Sequence, residues 1–204
     1  MTNLHTLLFR ITAGTVLILG LAGCASTPTP MFNYDFGTSP RSDRSDTPSC
    51  HLPPVYVAEV SSPSALSSNL MLYRLLYAND QQAHAYAGHR WNMPPPQLLT
   101  QRVKTVLAAS GVIIGDSMRD GNTLMLRLEL TDFAHYFIDE TQSKAQLTVR
   151  ATVSQGTGLI AQTTFYGQAA SASADAPGGA SAMRIATDTL INELHGWLCE
   201  QTPR

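Results

Sequence analysis

Three segments between residues 124 and 169 alternate apolar and polar side chains, and this alternation restricts the fold more than any other feature of the chain. In the first, Leu124, Leu126, Leu128 and Leu130 share one side of an extended strand, opposite Met125, Arg127 and Glu129. In the second, Leu147, Val149, Ala151 and Val153 oppose Gln146, Thr148, Arg150 and Thr152, and a third runs from Leu159 to about Ala169. Successive side chains of a strand point to opposite faces, so each segment buries one face and leaves the other to water. A half-buried sheet needs a cover, and two helical patterns supply it. One opens at Pro94, Pro95 and Pro96, which a first helical turn tolerates, and places Leu99, Val103, Val106 and Leu107 at helical spacing before Gly111. The other follows the small, flexible stretch 171–179 and carries Met183, Leu190, Ile191, Leu194, Trp197 and Leu198 on one stripe. Upstream, residues 54–60 and 69–77 read as strands, residues 78–90 as a polar turn or loop around Gly88, and residues 31–36 as a short edge strand. The expected class is α+β: two layers, with a mostly antiparallel sheet of about four to six strands and two helices packed on one face.

The N-terminus carries a different message. Arg10 is the only basic residue before the uncharged run 11–22, which is too short to span a bilayer, a task that takes about 20 apolar residues. A basic start, an apolar core and small residues make a secretory signal. Leu21, Ala22, Gly23 and Cys24 form a lipobox, so cleavage is expected between Gly23 and Cys24, with diacylglyceryl and further acyl (palmitoyl-type) chains on Cys24. Two or more chains anchor stably where one does not. Ala25 and Ser26 follow the anchor in place of the Asp that retains such proteins at the inner membrane. The expected location is therefore the periplasmic face of the outer membrane. The expected division is residues 1–23 signal, 24–53 lipidated N-terminus and tether, 54–200 folded domain and 201–204 tail.

Charge excludes one class of partner. Only 14% of the chain is charged, the net charge is −2, and no basic tract occurs, so the clustered Lys/Arg footprint of a nucleic-acid binder is missing. With Cys24 lipidated, Cys50 and Cys199 are an even pair in an oxidising compartment and are expected to form a disulfide. His51 and His195 lack recognised ligand spacing around them, so no metal is expected, and no cofactor beyond the covalent lipid. Gly115, Asp116 and Ser117 echo the nucleophile block of GDSL-type hydrolases, and Asp132 and His135 echo its Asp-x-x-His pair. The block follows a helix, however, and Asp132 and His135 would point to opposite faces of a strand. A turn accounts for Ser117 without chemistry. His84 and His89 read as solvent-exposed loop residues.

Read in order behind the lipobox, a further series stands out. Tyr34, Asp35 and Phe36 are followed by residues 55–60 and the pair Tyr73-Arg74; Tyr86, Arg90, Trp91, Pro94, Pro95, Leu98, Leu99 and Leu107 come next. The series resembles the ABC-type transport auxiliary lipoproteins, the lipoprotein partners of MCE-domain lipid transporters in Gram-negative envelopes. The resemblance covers nearly the whole mature chain, and the Ser/Asp/Pro-rich insertion at 37–53 departs from it. It implies a non-enzymatic component that docks the distal end of a periplasmic MCE-domain bridge at the outer membrane, or helps lipid reach that membrane, in a system whose inner-membrane permease and ATPase are other chains. Tyr73, Arg74, Arg90, Trp91, Pro94 and Pro95 match the family motif and are its candidate interface. Exposed edge strands would allow a homo-oligomer or a partner's strand. A similar helix-on-sheet layout occurs in lipoproteins that plug lipopolysaccharide-export barrels, so fold alone does not separate a transport component from a structural or assembly lipoprotein.

Overall fold

The structure, a computed structural model, describes residues 30–38 and 50–201. Gly23, Cys24, the signal segment and the tail 202–204 lie outside the described residues. The elements run β1 (Phe32–Tyr34), β2 (Leu52–Val57), β3 (Leu70–Leu75), β4 (Asn79–Trp91), α1 (Pro95–Leu107), β5 (Gly111–Ile113), β6 (Leu124–Phe137), β7 (Ser143–Gln155), β8 (Gly158–Ala170) and α2 (Ala176–Gln201).

The alternating segments form the spine. β6 pairs antiparallel with β7 along its whole length, and β7 with β8. The other edge of β6 is shared. β2 runs parallel to its first half, with Val55 level with Leu124; Ser61 bridges to Glu129; β3 runs parallel to its end, with Tyr73 level with His135. Residues 55–75 thus shadow one strand, interrupted by a loop. β5 adds beyond β2, while β4 and then β1 add beyond β3. The class is α+β, but the sheet has eight strands among the described residues and is mixed, larger and less uniformly antiparallel than expected. Two strands account for much of the excess. Residues 78–90 are not a loop but nearly all of β4, a polar strand with a positive φ at Gly88 and register skips against β3 on either side of the Leu72–Tyr73 pairs. β5 begins at Gly111, taken above as a helix stop.

A bulge between Leu130 and Asp132 shifts the phase of β6, so Leu124 to Leu130 point inward at even positions and Phe133, His135 and Phe137 at odd ones. Leu124, Leu126, Leu128, Leu130 and Phe133, with the inward side chains of β7, join Leu99, Val103 and Leu107 of α1 and Met183, Leu190, Ile191 and Leu194 of α2 in one core. α2 starts earlier than its composition suggests. Asp175 caps it, its Oδ1 accepting from the Gly178 N–H at 2.8 Å, and Pro177 sits in the first turn, where no N–H is missed. Trp91 closes the core at the base of α1, 1% exposed, with Phe36 and Phe133 against its ring.

Arg102 of α1 is 5% exposed and forks onto Asp188 of α2, Nε to Oδ1 at 2.7 Å and Nη2 to Oδ2 at 2.8 Å. The same guanidinium reaches the carbonyl of Gly37, so it ties both helices to the segment leaving β1. At the far end of the domain Cys50 and Cys199 form a disulfide with Cα atoms 6.0 Å apart.

Candidate functional site

At one end of the sheet the β3–β4 and β6–β7 turns meet the start of α2. Inward-facing aromatic and imidazole rings from β3, β4 and β6 gather there. Tyr73 stacks on His84 at 5.1 Å and lies 4.6 Å from Tyr86 and 5.8 Å from Phe137. His135 is 2% exposed, and both its ring nitrogens are bonded: Nδ1 to the Tyr86 hydroxyl at 2.7 Å and Nε2 to Ser171 Oγ at 2.9 Å. Burial raises the Tyr86 pKa well above the ordinary phenol range, so the hydroxyl keeps its proton. With that proton donated to Nδ1, Nε2 carries the ring hydrogen and donates it to Ser171. Burial also holds His135 down to about 4, against an opposing pull from Asp175. A Cβ on Gly179 would stand 2.5 Å from Nδ1 of His135, so the first turn of α2 approaches the ring as closely as only glycine allows.

Hydroxyl, imidazole and phenol in a row invite comparison with a nucleophile, base and orienting group. A base whose conjugate acid has a pKa near 4 has little proton affinity at neutral pH, and this ring is enclosed. The network positions the sheet end against α2. Beside it opens a cavity of about 480 Å³, lined by Ile138, Thr141, Ser143, Lys144, Gln168 and Ser171 among others.

One stability prediction follows from the imidazole. The folded His135 pKa lies below the unfolded value of about 6.5, so the unfolded chain binds more protons between the two values. This contribution is complete above pH 6.5 and is lost as pH falls towards 4, amounting to about 3 kcal/mol. Burial lowers His195 as well, in the same sense. Urea unfolding should therefore show a steep fall in stability between pH 6.5 and 4, and His135→Gln should flatten that slope while keeping hydrogen-bonding capacity. An unchanged slope would contradict the assignment.

The motif residues divide between the two sheet faces and the core. Tyr73 belongs to the ring cluster; Arg74 lies on the opposite face and donates to the carbonyl of Asp80 at 3.0 Å. Arg90 is exposed and sits between Asn33 of β1 and Leu70 of β3. Trp91 is in the core, Pro94 caps α1, and Pro95 is its buried first residue. These six residues do not converge on one surface. Ser117 is exposed in a short turn before β6, at the opposite end of that strand from His135. Asp132 faces outward, accepting from Tyr136 at 2.7 Å and Gln146 at 3.1 Å. The hydrolase constellation is not assembled. His84 and His89 are half-buried in β4 rather than loose in a loop, and His89 stacks on Phe32 and Tyr34. Ligand-type atoms of Cys50, His195 and Cys199 lie within 4.8 Å of one another, but the disulfide occupies both sulfurs. No helix among the described residues is long and apolar enough to cross a membrane.

Residues 34–194 match the model of the family described as ABC-type transport auxiliary lipoprotein component. Among solved structures, a Xanthomonas campestris protein of the DUF330 family superposes with a TM-score of 0.63 at 19% identity, over 76% of this chain and 94% of that one. A second, an uncharacterized protein, gives a TM-score of 0.60 at 14% identity, over 85% of this chain and 99% of that one. Identities this low establish the fold alone. No curated protein matches the chain.

Proposed function

Because the chain belongs to the family of ABC-type transport auxiliary lipoprotein components, we propose that it is a non-catalytic member of an MCE/ABC-type system that moves lipids or other lipophilic compounds between membranes. The family match across residues 34–194 carries this reading. In it, the chain is cut after Gly23, lipidated on Cys24 and held at the periplasmic face of the outer membrane, where it docks the MCE-domain bridge. Energy and passage come from the system's permease and ATPase.

The surface we assign to that docking is the free edge of β8. This strand has 13 residues and, among the described residues, pairs only with β7. It contains no charged residue and no proline, and it leaves Leu159 and Tyr166 exposed. Proteins ordinarily blunt such edges with charge, proline or a cover. An unblunted edge supports strand addition by a partner, with main-chain hydrogen bonds supplying affinity.

Genetics tests the pathway. Deleting this gene and deleting the MCE-domain gene should sensitise cells to membrane-active compounds equally, and the double deletion should be no worse than either. Additive sensitivity would place the protein outside that system.

A further inference from the structure

Hydrogen-bond donors gather without matching acceptors in the cavity of about 480 Å³ beside the His135 network. It opens where β6 turns into β7 and where β8 ends, and Ser143, Lys144, Gln168 and Ser171 line it together with Ile138 and Ala169. Among the described residues that line it, Lys144 carries a positive charge and none is acidic. The Lys144 ammonium donates to Gln168 Oε1 at 3.1 Å, so two of its three N–H bonds and the NH₂ of Gln168 remain for another acceptor. Two hydroxyls stand beside them. Ser143 is 6% exposed, and its Oγ finds no hydrogen-bond partner among the described residues, a rare state for a buried polar atom. Ser171 Oγ accepts the His135 Nε2 hydrogen, which the Tyr86 proton on Nδ1 fixes in place, so the Ser171 proton is directed away from the ring. The Ser171 N–H donates to the Ser143 carbonyl at 2.9 Å and holds the two residues side by side.

We propose that this cavity binds a phosphodiester, with Lys144 as its counter-charge and the Gln168 amide and the Ser143 and Ser171 hydroxyls donating to its two unesterified oxygens. Charge and shape select the class. A phosphodiester carries a single negative charge, which Lys144 matches, whereas a phosphate monoester carries about 1.5 to 2 at neutral pH. Ser143 and Lys144 are neighbours on β7 and project to opposite faces of the sheet, so the donors reach the cavity from two sides. A planar carboxylate accepts best in its own plane, while the tetrahedral diester accepts from both sides. Ile138 and Ala169 give its organic arms an apolar wall.

The carboxylates of the adjoining turn and helix start are engaged elsewhere. Asp139 Oδ1 accepts from the Thr141 and Gln142 N–H groups and from the Thr141 hydroxyl, and Asp175 Oδ1 accepts from Ser173 and from the Gly178 N–H. Glu140 is exposed to water. A smaller cavity of about 190 Å³ beside α1 offers no comparable set of donors, since its Arg102 is held by Asp188 and its Asp35 by Asn92. The diester site is a property of this chain's own side chains and holds whether or not an MCE-domain protein docks at β8.

The test is an NMR titration of the isotope-labelled, lipidated protein in uncharged maltoside micelles. The probes are glycerophosphoglycerol, dihexanoyl phosphatidylglycerol and hexanoate. The amides of Ser143, Lys144 and Ser171 should shift saturably with both diesters. Similar affinity for the two assigns the site to a free diester, and affinity about tenfold or more higher for the lipid assigns it to a lipid headgroup; either supports the proposal. Lys144 is part-exposed, so its replacement leaves the core intact. Lys144→Met should weaken diester binding about tenfold or more, because a charge-assisted hydrogen bond is lost, while Lys104→Met on α1 should leave it unchanged. Tyr86→Phe should weaken it severalfold, and the imidazole nitrogen shifts of His135 should report the move of the ring hydrogen to Nδ1. No saturable shift with either diester, hexanoate bound as tightly as they are, or full affinity in Lys144→Met or Tyr86→Phe would overturn the proposal.

Discussion

Replacing Cys50 and Cys199 together by alanine should cost up to about 5 kcal/mol of unfolding free energy, the largest loss expected from any pair of side chains here. The two cysteines are 149 residues apart in sequence. Their bond therefore closes nearly the whole described domain into one loop and removes a large share of the unfolded chain's freedom. It joins the entry to β2 with the last turn of α2. A domain of this size has about 5–15 kcal/mol of stability in all, so the loss is a substantial fraction of it. Urea unfolding with and without dithiothreitol measures the effect. The midpoint should fall and the denaturant slope should rise, because the unlinked chain exposes more surface. A change below about 1 kcal/mol would show that the unfolded state is not limited by this link.

Asp188→Ala should cost about 4 kcal/mol, more than the loss of an exposed ion pair by a wide margin. Arg102 is 5% exposed and spends two of its donors on this carboxylate. Without Asp188 the guanidinium stays enclosed between α1 and α2 with only the Gly37 carbonyl, at 3.4 Å. The destabilisation is thus the penalty of a stranded charge, not the net worth of the pair. Arg102→Met combined with Asp188→Leu separates the two, since apolar replacement of a whole buried pair is often neutral or better. The double variant should recover most of the loss in a thermal melt. If it is as unstable as Asp188→Ala alone, the pair itself supplies the stability.

The architecture was legible wherever alternation was uninterrupted. β6, β7 and β8 carry clean period-two patterns because one face meets the helices and the other meets water. β4 has the same geometry but hides it. Its inward residues include His84 and Tyr86, and the register skips and the positive φ at Gly88 break the count. The parallel pairing of β2 and β3 along β6 leaves no local trace at all, because it depends on which edge the chain returns to. The start of α2 reads as a breaker, since Pro177, Gly178 and Gly179 are adjacent; a capping Asp175 and the need for close approach to His135 explain them. His135 itself was visible but read in the wrong company. An imidazole at an inward position between Phe133 and Phe137 must find buried partners, and Tyr86 and Ser171 come from strand and loop segments whose meeting no local pattern announces.

The family motif is similarly divided. Trp91, Pro94 and Pro95 build the base of α1, and Tyr73 builds the ring cluster, so the most recognisable residues maintain the fold. The docking surface proposed above is by contrast inconspicuous in the sequence: the uncharged edge of β8.

Crosslinking followed by pull-down from envelope membranes tests the central claim most directly. The bait is the lipidated protein, with Cys24→Ala as the unanchored control and Tyr166→Lys on the β8 edge as the docking control. The account predicts recovery of an MCE-domain protein with its permease and ATPase, with crosslinks concentrated on β8 and lost in both controls. Recovery of an outer-membrane barrel or peptidoglycan-bound proteins without any MCE-domain protein would contradict it and identify a structural or assembly lipoprotein instead.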